Sequence, residues 1–190
     1  MTGRILKPCE ETVKAVSSIL SAGGLVVYPS DTVYGLLAHA RSREACIRLA
    51  LLKGYDSPRP FIVLTESIDE ALLLTTKRDA RSQMEKFWPG PVTLILPASP
   101  DVPSWLLGPA GGIALRVPAD PLSQSILRET SLNLVSTSAN HSGGMNPVDP
   151  ARIPESILEG VQAVIDGGVL FGRKPSRVID LTGDEPKILR

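Results

Sequence analysis

Cysteine and histidine are scarce in this chain. Cys9 and Cys46 form no Cys-x-x-Cys pair and are too few for a disulfide framework, so a reducing, cytoplasmic setting is expected. Only His39 and His141 accompany them, which argues against a structural zinc centre. No apolar run approaches the roughly 20 residues that cross a bilayer as a helix, and the N-terminus lacks the apolar segment of a signal peptide. No membrane partner is expected. An excess of one charge is missing too: 20 Lys and Arg balance 20 Asp and Glu, so any affinity for nucleic acid or anions must come from a local patch. The chain contains no Gly-x-x-x-x-Gly-Lys-Ser/Thr, no Gly-x-Gly-x-x-Gly, no His-Glu-x-x-His and no Gly-x-Ser-x-Gly. These absences speak against a P-loop NTPase, a Rossmann dehydrogenase, a zincin and an ordinary serine hydrolase. Internal repeats, coiled-coil heptads and low-complexity tracts are absent as well.

What is present is globular in character, with 43% hydrophobic and 21% charged residues. A length of 190 residues suffices for a substantial core, and one domain over residues 1–190 is expected. The organising stretch is Leu25-Val26-Val27-Tyr28-Pro29-Ser30-Asp31-Thr32-Val33-Tyr34-Gly35. Leu25 to Tyr28 reads as a short buried strand that Pro29 stops, delivering Ser30, Asp31 and Thr32 at its mouth. Those polar groups either face a crevice or make a side-chain turn.

Around it, apolar spacing predicts a helix over Glu10 to Ala22 stopped by Gly23-Gly24, and a second helix capped by Ser42 that runs into Lys53-Gly54. A loop from Gly54 to Pro60 precedes a strand at Phe61–Leu64. Ser67-Ile68-Asp69-Glu70 matches a capping box for a helix over Ala71 to Leu74, and another helix is expected over Arg78 to Phe87. Strands follow at Val92–Leu96 and Ile113–Val117, separated by a Pro- and Gly-rich excursion anchored on Trp105. Asp120-Pro121 opens a helix buried through Leu122, Ile126 and Leu127. Asn133-Leu134-Val135 forms a strand that opens into a loop, Ser136 to Gly144. A short helix near Glu155 to Leu158 and strands at Val161–Ile165, Arg177–Leu181 and Ile188-Leu189 complete the chain. Strands interleaved with short helices and hairpin-like joins predict an α/β fold: a twisted mixed parallel and antiparallel sheet with flanking helices.

Two features point to chemistry. Ser136 to Gly144 sets three consecutive hydroxyls, Asn140, a further serine and two glycines directly after a buried strand, a composition suited to binding phosphate or carboxylate oxygens, or simply to a Ser/Thr-rich turn. Arg116 interrupts an otherwise apolar strand and needs an anionic partner, an internal Asp or a ligand, because an unpaired buried charge costs several kcal/mol. Lys53, Arg59, Arg173, Lys174, Arg177 and Arg190 lie in loops or at strand ends, where each alone reads equally well as solvated surface.

Six segments then occur in a telling order. They are Pro29-Ser30-Asp31-Thr32-Val33-Tyr34-Gly35, Lys53-Gly54 followed by Arg59-Pro60, Pro89-Gly90-Pro91-Val92-Thr93, Ala114-Leu115-Arg116-Val117-Pro118, Ser136-Thr137-Ser138-Ala139-Asn140-x-Ser142-Gly143 and Ser176-Arg177-Val178-Ile179-Asp180-Leu181. In this the chain closely resembles the YrdC-like family, the L-threonylcarbamoyladenylate synthases of tRNA modification, over about Val13 to Arg190, and in length its short single-domain members.

The resemblance implies the YrdC-like fold with a concave basic face. It further implies synthesis of threonylcarbamoyl-AMP and pyrophosphate from L-threonine, bicarbonate and ATP with Mg²⁺, the product passing to a separate transferase that modifies A37 of tRNAs reading ANN codons. By position, Thr32, Arg116, Ser136 and Ser176 would contact threonine, with Arg116 on its carboxylate. Lys53, Ser138, Asn140, Asn146 and Arg190 would hold ATP, and Lys53, Arg59 and Ser138 would form the catalytic set. Binding of tRNA or double-stranded RNA is a further expectation.

There are departures from the family pattern. Its usual Lys-x-Arg reads Lys53-Gly54-Tyr55 here, which removes a positive charge that Arg59 could restore from the far side of the loop. Ser30 replaces a usual Thr, Gly112 stands where many relatives have Ser or Thr, and Arg190 is expected to fray. Two rivals remain. One is an accessory or RNA-binding module without synthesis, motivated by Tyr55 and by Arg41, Arg43, Arg48, Arg173, Lys174 and Arg177. The other is carbamoyl-adenylate chemistry on another substrate.

Overall fold

The computed structural model describes residues 3–57, 59–172, 174–183 and 185–190. Their strands are β1 (Arg4–Leu6), β2 (Val26–Pro29), β3 (Tyr34–His39), β4 (Ile62–Leu64), β5 (Val92–Pro97), β6 (Gly112–Arg116), β7 (Leu134–Ser138), β8 (Ala163–Ile165), β9 (Arg177–Asp180) and β10 (Lys187–Ile188). The helices are α1 (Glu10–Ser21), α2 (Arg43–Leu52), α3 (Ile68–Leu73), α4 (Arg81–Met84), α5 (Pro121–Thr130) and α6 (Glu155–Glu159). The strands form one sheet in the order β1-β8-β2-β3-β7-β4-β6-β5-β9-β10. Pairs β1/β8, β2/β8, β4/β6 and β5/β9 are parallel and the others antiparallel, which is the mixed sheet expected.

The predicted helix starts form as their side chains dictate. Ser42 accepts a hydrogen bond from the Ala45 amide at 3.2 Å, Ser67 from Glu70 at 3.2 Å, and Asp120 from Ser123 at 2.8 Å. Each satisfies an amide that the first helical turn leaves unpaired. Trp105 anchors its excursion by donating its indole N–H to the Ala40 carbonyl at 3.0 Å.

Several expectations are corrected. Tyr34–His39 is a central strand, and Arg4–Leu6 adds an edge strand; neither is among those expected from the sequence. Ser136, Thr137 and Ser138 belong to β7 itself rather than to the loop after it, because each pairs with β3. The helix over Arg78 to Phe87 is shorter, a 3-10 turn at Arg78–Ala80 leading into α4. Arg190, expected to fray, is placed against β9, its carbonyl accepting from the Val178 amide at 2.9 Å.

Alternation along the strands assigns the two faces. Val27, Leu36, Ala38, Val63, Leu94, Leu115 and Val135 point to one face, where α2 and α3 bury Ala45, Leu49 and Ala71 against them. Val26, Tyr28, Leu37, Leu64, Leu134 and Ile165 point to the other, beneath Val13, Val16 and Leu20 of α1 and Ile126 and Leu127 of α5. Those two helices cover only one half of that second face. Thr93, Ile95, Ala114, Arg116, Ser136, Ser138 and Val178, which alternate toward the same side, line a cavity instead.

Candidate functional site

The cavity measures about 490 Å³ and draws its walls from the β2–β3 turn, β5, β6, β7, the loop before β4, and the two ends of the chain segment from Pro175 to Arg190. Thr32, Arg59, Arg116, Ser136, Ser138, Asn146, Ser176 and Arg190 all line it. Eight of the ten residues expected from the sequence are thereby brought together from segments far apart in the chain. Three of the lining residues are arginines, and none of the described ones is an Asp or Glu. One of these arginines, Arg116, is already ion-paired with Asp31.

Both readings of the β2–β3 turn hold at once. Ser30 makes a side-chain turn, its hydroxyl accepting from the amides of Thr32 at 3.0 Å and Val33 at 3.2 Å, and this turn sets the buried Thr32 hydroxyl at the cavity wall. Asp31 answers the question posed by Arg116: its carboxylate forms an ion pair with the Arg116 guanidinium. Arg116 also donates from Nε to the Gly90 carbonyl at 3.0 Å. A guanidinium has five N–H groups, so these two partners fix its plane and still leave donors for an incoming carboxylate. Behind the pair, Asp120 has its carboxyl pushed above the usual range, first by burial and only partly offset by its backbone hydrogen bond from Ser123.

Tyr28 is a site residue that the sequence reading placed only in the core. Its ring crosses β3 over Gly35, where a Cβ would lie 2.6 Å from Cε1 of the ring, and its hydroxyl reaches Ser136 Oγ on β7 at 3.1 Å. Only glycine permits that close approach. Burial pushes the Tyr28 hydroxyl up to about 12, so it remains a neutral hydrogen-bonding partner that holds Ser136 toward the cavity. The signal available in the sequence was a tyrosine at a strand end paired with a glycine one strand away, and it becomes visible only once the β2/β3 register is known.

Lys53 and Asn140 are placed differently. Lys53 is buried, and its ammonium donates to the carbonyls of Ser138 at 2.8 Å and Asn140 at 2.7 Å and to Asn140 Oδ1 at 3.2 Å. These three acceptors engage all three donors of the ammonium. Asn140 Oδ1 also accepts from Ser138 Oγ at 2.5 Å, and Asn140 Nδ2 donates to the Gly144 carbonyl at 2.6 Å. The two residues stand behind the cavity wall and brace the turn carrying Ser138. Burial pulls the Lys53 ammonium down to about 8.

On the far side of the cavity, Ser176 Oγ lies 3.1 Å from Thr93 Oγ1, and Arg190 Nε donates to the Ser176 carbonyl at 3.0 Å. At the mouth, the Arg59 guanidinium lies over the Tyr55 ring, 4.7 Å from its centroid. Gly112 has little room to be otherwise, since a Cβ would lie 2.8 Å from Ile95 Cγ2. Of the described basic residues of the accessory-module reading, Arg41, Arg43, Arg48, Lys174 and Arg177 do not line the cavity. Arg43 and Arg48 belong to α2, which packs on the opposite face of the sheet, and Arg48 is bonded to the Gly23 carbonyl. Arg173 lies outside the described residues.

A family model described as "Telomere recombination" and named for Sua5, YciO and YrdC matches residues 18–190. The chain belongs to this family. A threonylcarbamoyl-AMP synthase of Nitrosococcus oceani is 38% identical over 172 residues, which span 88% of this chain and 92% of the relative. A threonylcarbamoyl-AMP synthase of Pyrococcus abyssi is 32% identical over 183 residues, 95% of this chain. The crystal structure of P. abyssi Sua5 complexed with L-threonine superposes on the whole chain with a TM-score of 0.89 at 30% identity. The chain spans only about half of the P. abyssi protein, 54% of its sequence and 56% of the crystallised chain. Among the described residues, no helix is long and apolar enough to cross a membrane.

Proposed function

We infer that this chain is a threonylcarbamoyl-AMP synthase acting in the cytoplasm. The observation that carries the reading is the convergence of three arginines and the hydroxyls of Thr32, Ser136, Ser138 and Ser176 on one cavity with no Asp or Glu among its described lining residues. The family relatives of that name, and the L-threonine held by P. abyssi Sua5, support it.

The reaction has two steps. The neutral amine of threonine and bicarbonate give an N-carboxylate and water; a carbamate oxygen then forms a bond to the α-phosphorus of ATP while the bond from that phosphorus to the bridging oxygen breaks and pyrophosphate leaves. Carbamate and triphosphate repel each other, so the protein's task is to hold them together and offset their charge. Orienting two reactants can contribute about 7–11 kcal/mol when the geometry is near attack. No side chain in the cavity has to serve as a strong base. Arg116, braced by Asp31, takes the threonine carboxylate; Thr32, Ser136 and Ser176 fit its neutral amine and hydroxyl. Arg59, Ser138, Asn146 and Arg190 surround the phosphates, with Lys53 and Asn140 shaping that wall from behind. Mg²⁺ would neutralise the triphosphate. The cavity offers hydroxyls but no Asp or Glu among its described residues, so the ion is best read as arriving with the nucleotide rather than held by a protein cage. The unstable product passes to a transferase acting on tRNA.

The test is pyrophosphate release from ATP, Mg²⁺, bicarbonate and L-threonine, each omitted in turn. Release that needs all four, with threonylcarbamoyl-AMP detected by mass spectrometry, is the expected result. Release independent of threonine but dependent on another amine would point instead to carbamoyl-adenylate chemistry on a different substrate.

A further inference from the structure

Tyr55, which departs from the Lys-x-Arg pattern that the resemblance implies, lines the cavity at its mouth. Arg59 lies over its ring at 4.7 Å, inside the distance at which a cation is held by an aromatic face. Tyr55 is itself fixed from two sides. Its amide donates to the Ala50 carbonyl at 3.0 Å, continuing the end of α2, and its hydroxyl accepts from Ser142 Oγ at 3.0 Å. The Ser142 amide in turn donates to the Lys53 carbonyl at 3.0 Å. Between them Gly54 has φ of +83°, a left-handed conformation that directs the chain from Lys53, facing inward, to Tyr55 at the rim.

We propose that Tyr55 is a positioning residue that seats the Arg59 guanidinium over the cavity mouth, so that Arg59 supplies the phosphate-facing charge which the Tyr55 position itself does not. An exposed arginine samples many rotamers and loses that freedom on meeting an anion. A guanidinium already resting on a ring that is anchored to two loops has less to lose, and the gain appears as affinity. The inference rests on the synthase reading only for its substrate, a polyphosphate; the Ser142–Tyr55–Arg59 arrangement stands without it.

The experiment titrates the protein calorimetrically with inorganic tripolyphosphate, and in parallel measures KM for ATP and for threonine, in wild type, Tyr55→Phe, Tyr55→Leu, Arg59→Ala and the Tyr55→Leu/Arg59→Ala pair. Thermal melts of each variant report on folding, since Tyr55 also packs on the core. Tyr55→Leu is expected to weaken tripolyphosphate binding and raise KM for ATP by about fivefold, with KM for threonine unchanged. Tyr55→Phe keeps the ring and is expected to stay within about twofold of wild type. In the Arg59→Ala background Tyr55→Leu should add nothing. The proposal is overturned if Tyr55→Leu binds tripolyphosphate like wild type, if it exerts its full effect without Arg59, or if wild type does not bind the probe. Should the coupling hold while wild type releases no pyrophosphate with threonine, the clamp stands and the synthase reading falls.

Discussion

Two halves of one sheet face share strands and pleat yet differ in chemistry. Under α1 and α5 the alternate positions are Val26, Leu37, Leu134 and Ile165, all nearly inaccessible. Beyond the helices the same alternation presents Thr93, Ala114, Arg116, Ser136 and Ser138 to the cavity. The boundary runs along single strands: Leu134 and Ser136 are two residues apart in β7, one beneath a helix and the other facing the cavity. Polar side chains are tolerated in such a position only because the cavity is open to water or ligand, and because the buried guanidinium of Arg116 has Asp31 as its partner. The covered half should therefore govern stability and the open half turnover.

The sharpest way to break that comparison is Arg116→Ala. If the open half is a binding surface, threonine-dependent pyrophosphate release should fall by at least about a hundredfold, the scale on which preoriented charge contributes to a transition state. The protein should remain folded, with some loss of stability because Asp31 keeps a largely buried carboxylate without its guanidinium. Normal turnover would remove Arg116 from the site. The converse substitution is Leu37→Ala. It empties a fully packed position in the covered half and should cost about 2–5 kcal/mol in urea unfolding, with the KM values of the remaining folded enzyme unchanged.

Gly35→Ala probes the seam. The new Cβ meets the Tyr28 ring, which belongs to the helix-covered core and to the cavity wall at once. Overpacking of this kind costs about 1–3 kcal/mol. Because the displaced ring also releases Ser136, KM for threonine should rise several-fold while KM for ATP stays close to wild type. An unfolding loss with both KM values intact would separate Tyr28 from the site.

The seam also marks where sequence reading stopped. Val26-Val27-Tyr28, Val92 to Leu96 and Ile113 to Leu115 announce themselves through β-branched and apolar runs bounded by turn residues, and the caps at Ser42, Ser67 and Asp120 act locally. Tyr34-Gly35-Leu36-Leu37-Ala38-His39 is buried on both faces and shows neither alternation nor strong strand propensity, so nothing local marks it as central. Ser136 to Ser138 looked like loop because hydroxyls suit turns, whereas here they pair in the ladder and turn outward to the cavity. Arg116 demanded a partner, and its need could be read; that Asp31 meets it, 85 residues away, could not. The cavity residues were named through motif order and a resemblance, not through any local rule. For Lys53 the residue was identified, while the tertiary contacts that put it behind the wall are set by a turn far along the chain.

The smallest expected effect concerns that lysine. Burial lowers its pKa to about 8 from an ordinary 10.5. Between those values the unfolded chain holds a proton that the folded one has released, so the contribution of Lys53 to stability rises with pH across that window, whereas below about pH 8 the buried ammonium weighs against folding. Function should move the other way. Deprotonation removes one of the three donors bracing Ser138 and Asn140, so turnover should decline by a few-fold as pH rises through about 8, most visibly in KM for ATP. Lys53→Met deletes the titrating group and should flatten that alkaline limb, at the cost of a lower plateau. If the limb persists in the methionine variant, the titration belongs to another group, and the contrast between a bracing lysine behind the wall and the arginines lining the cavity would have to be redrawn.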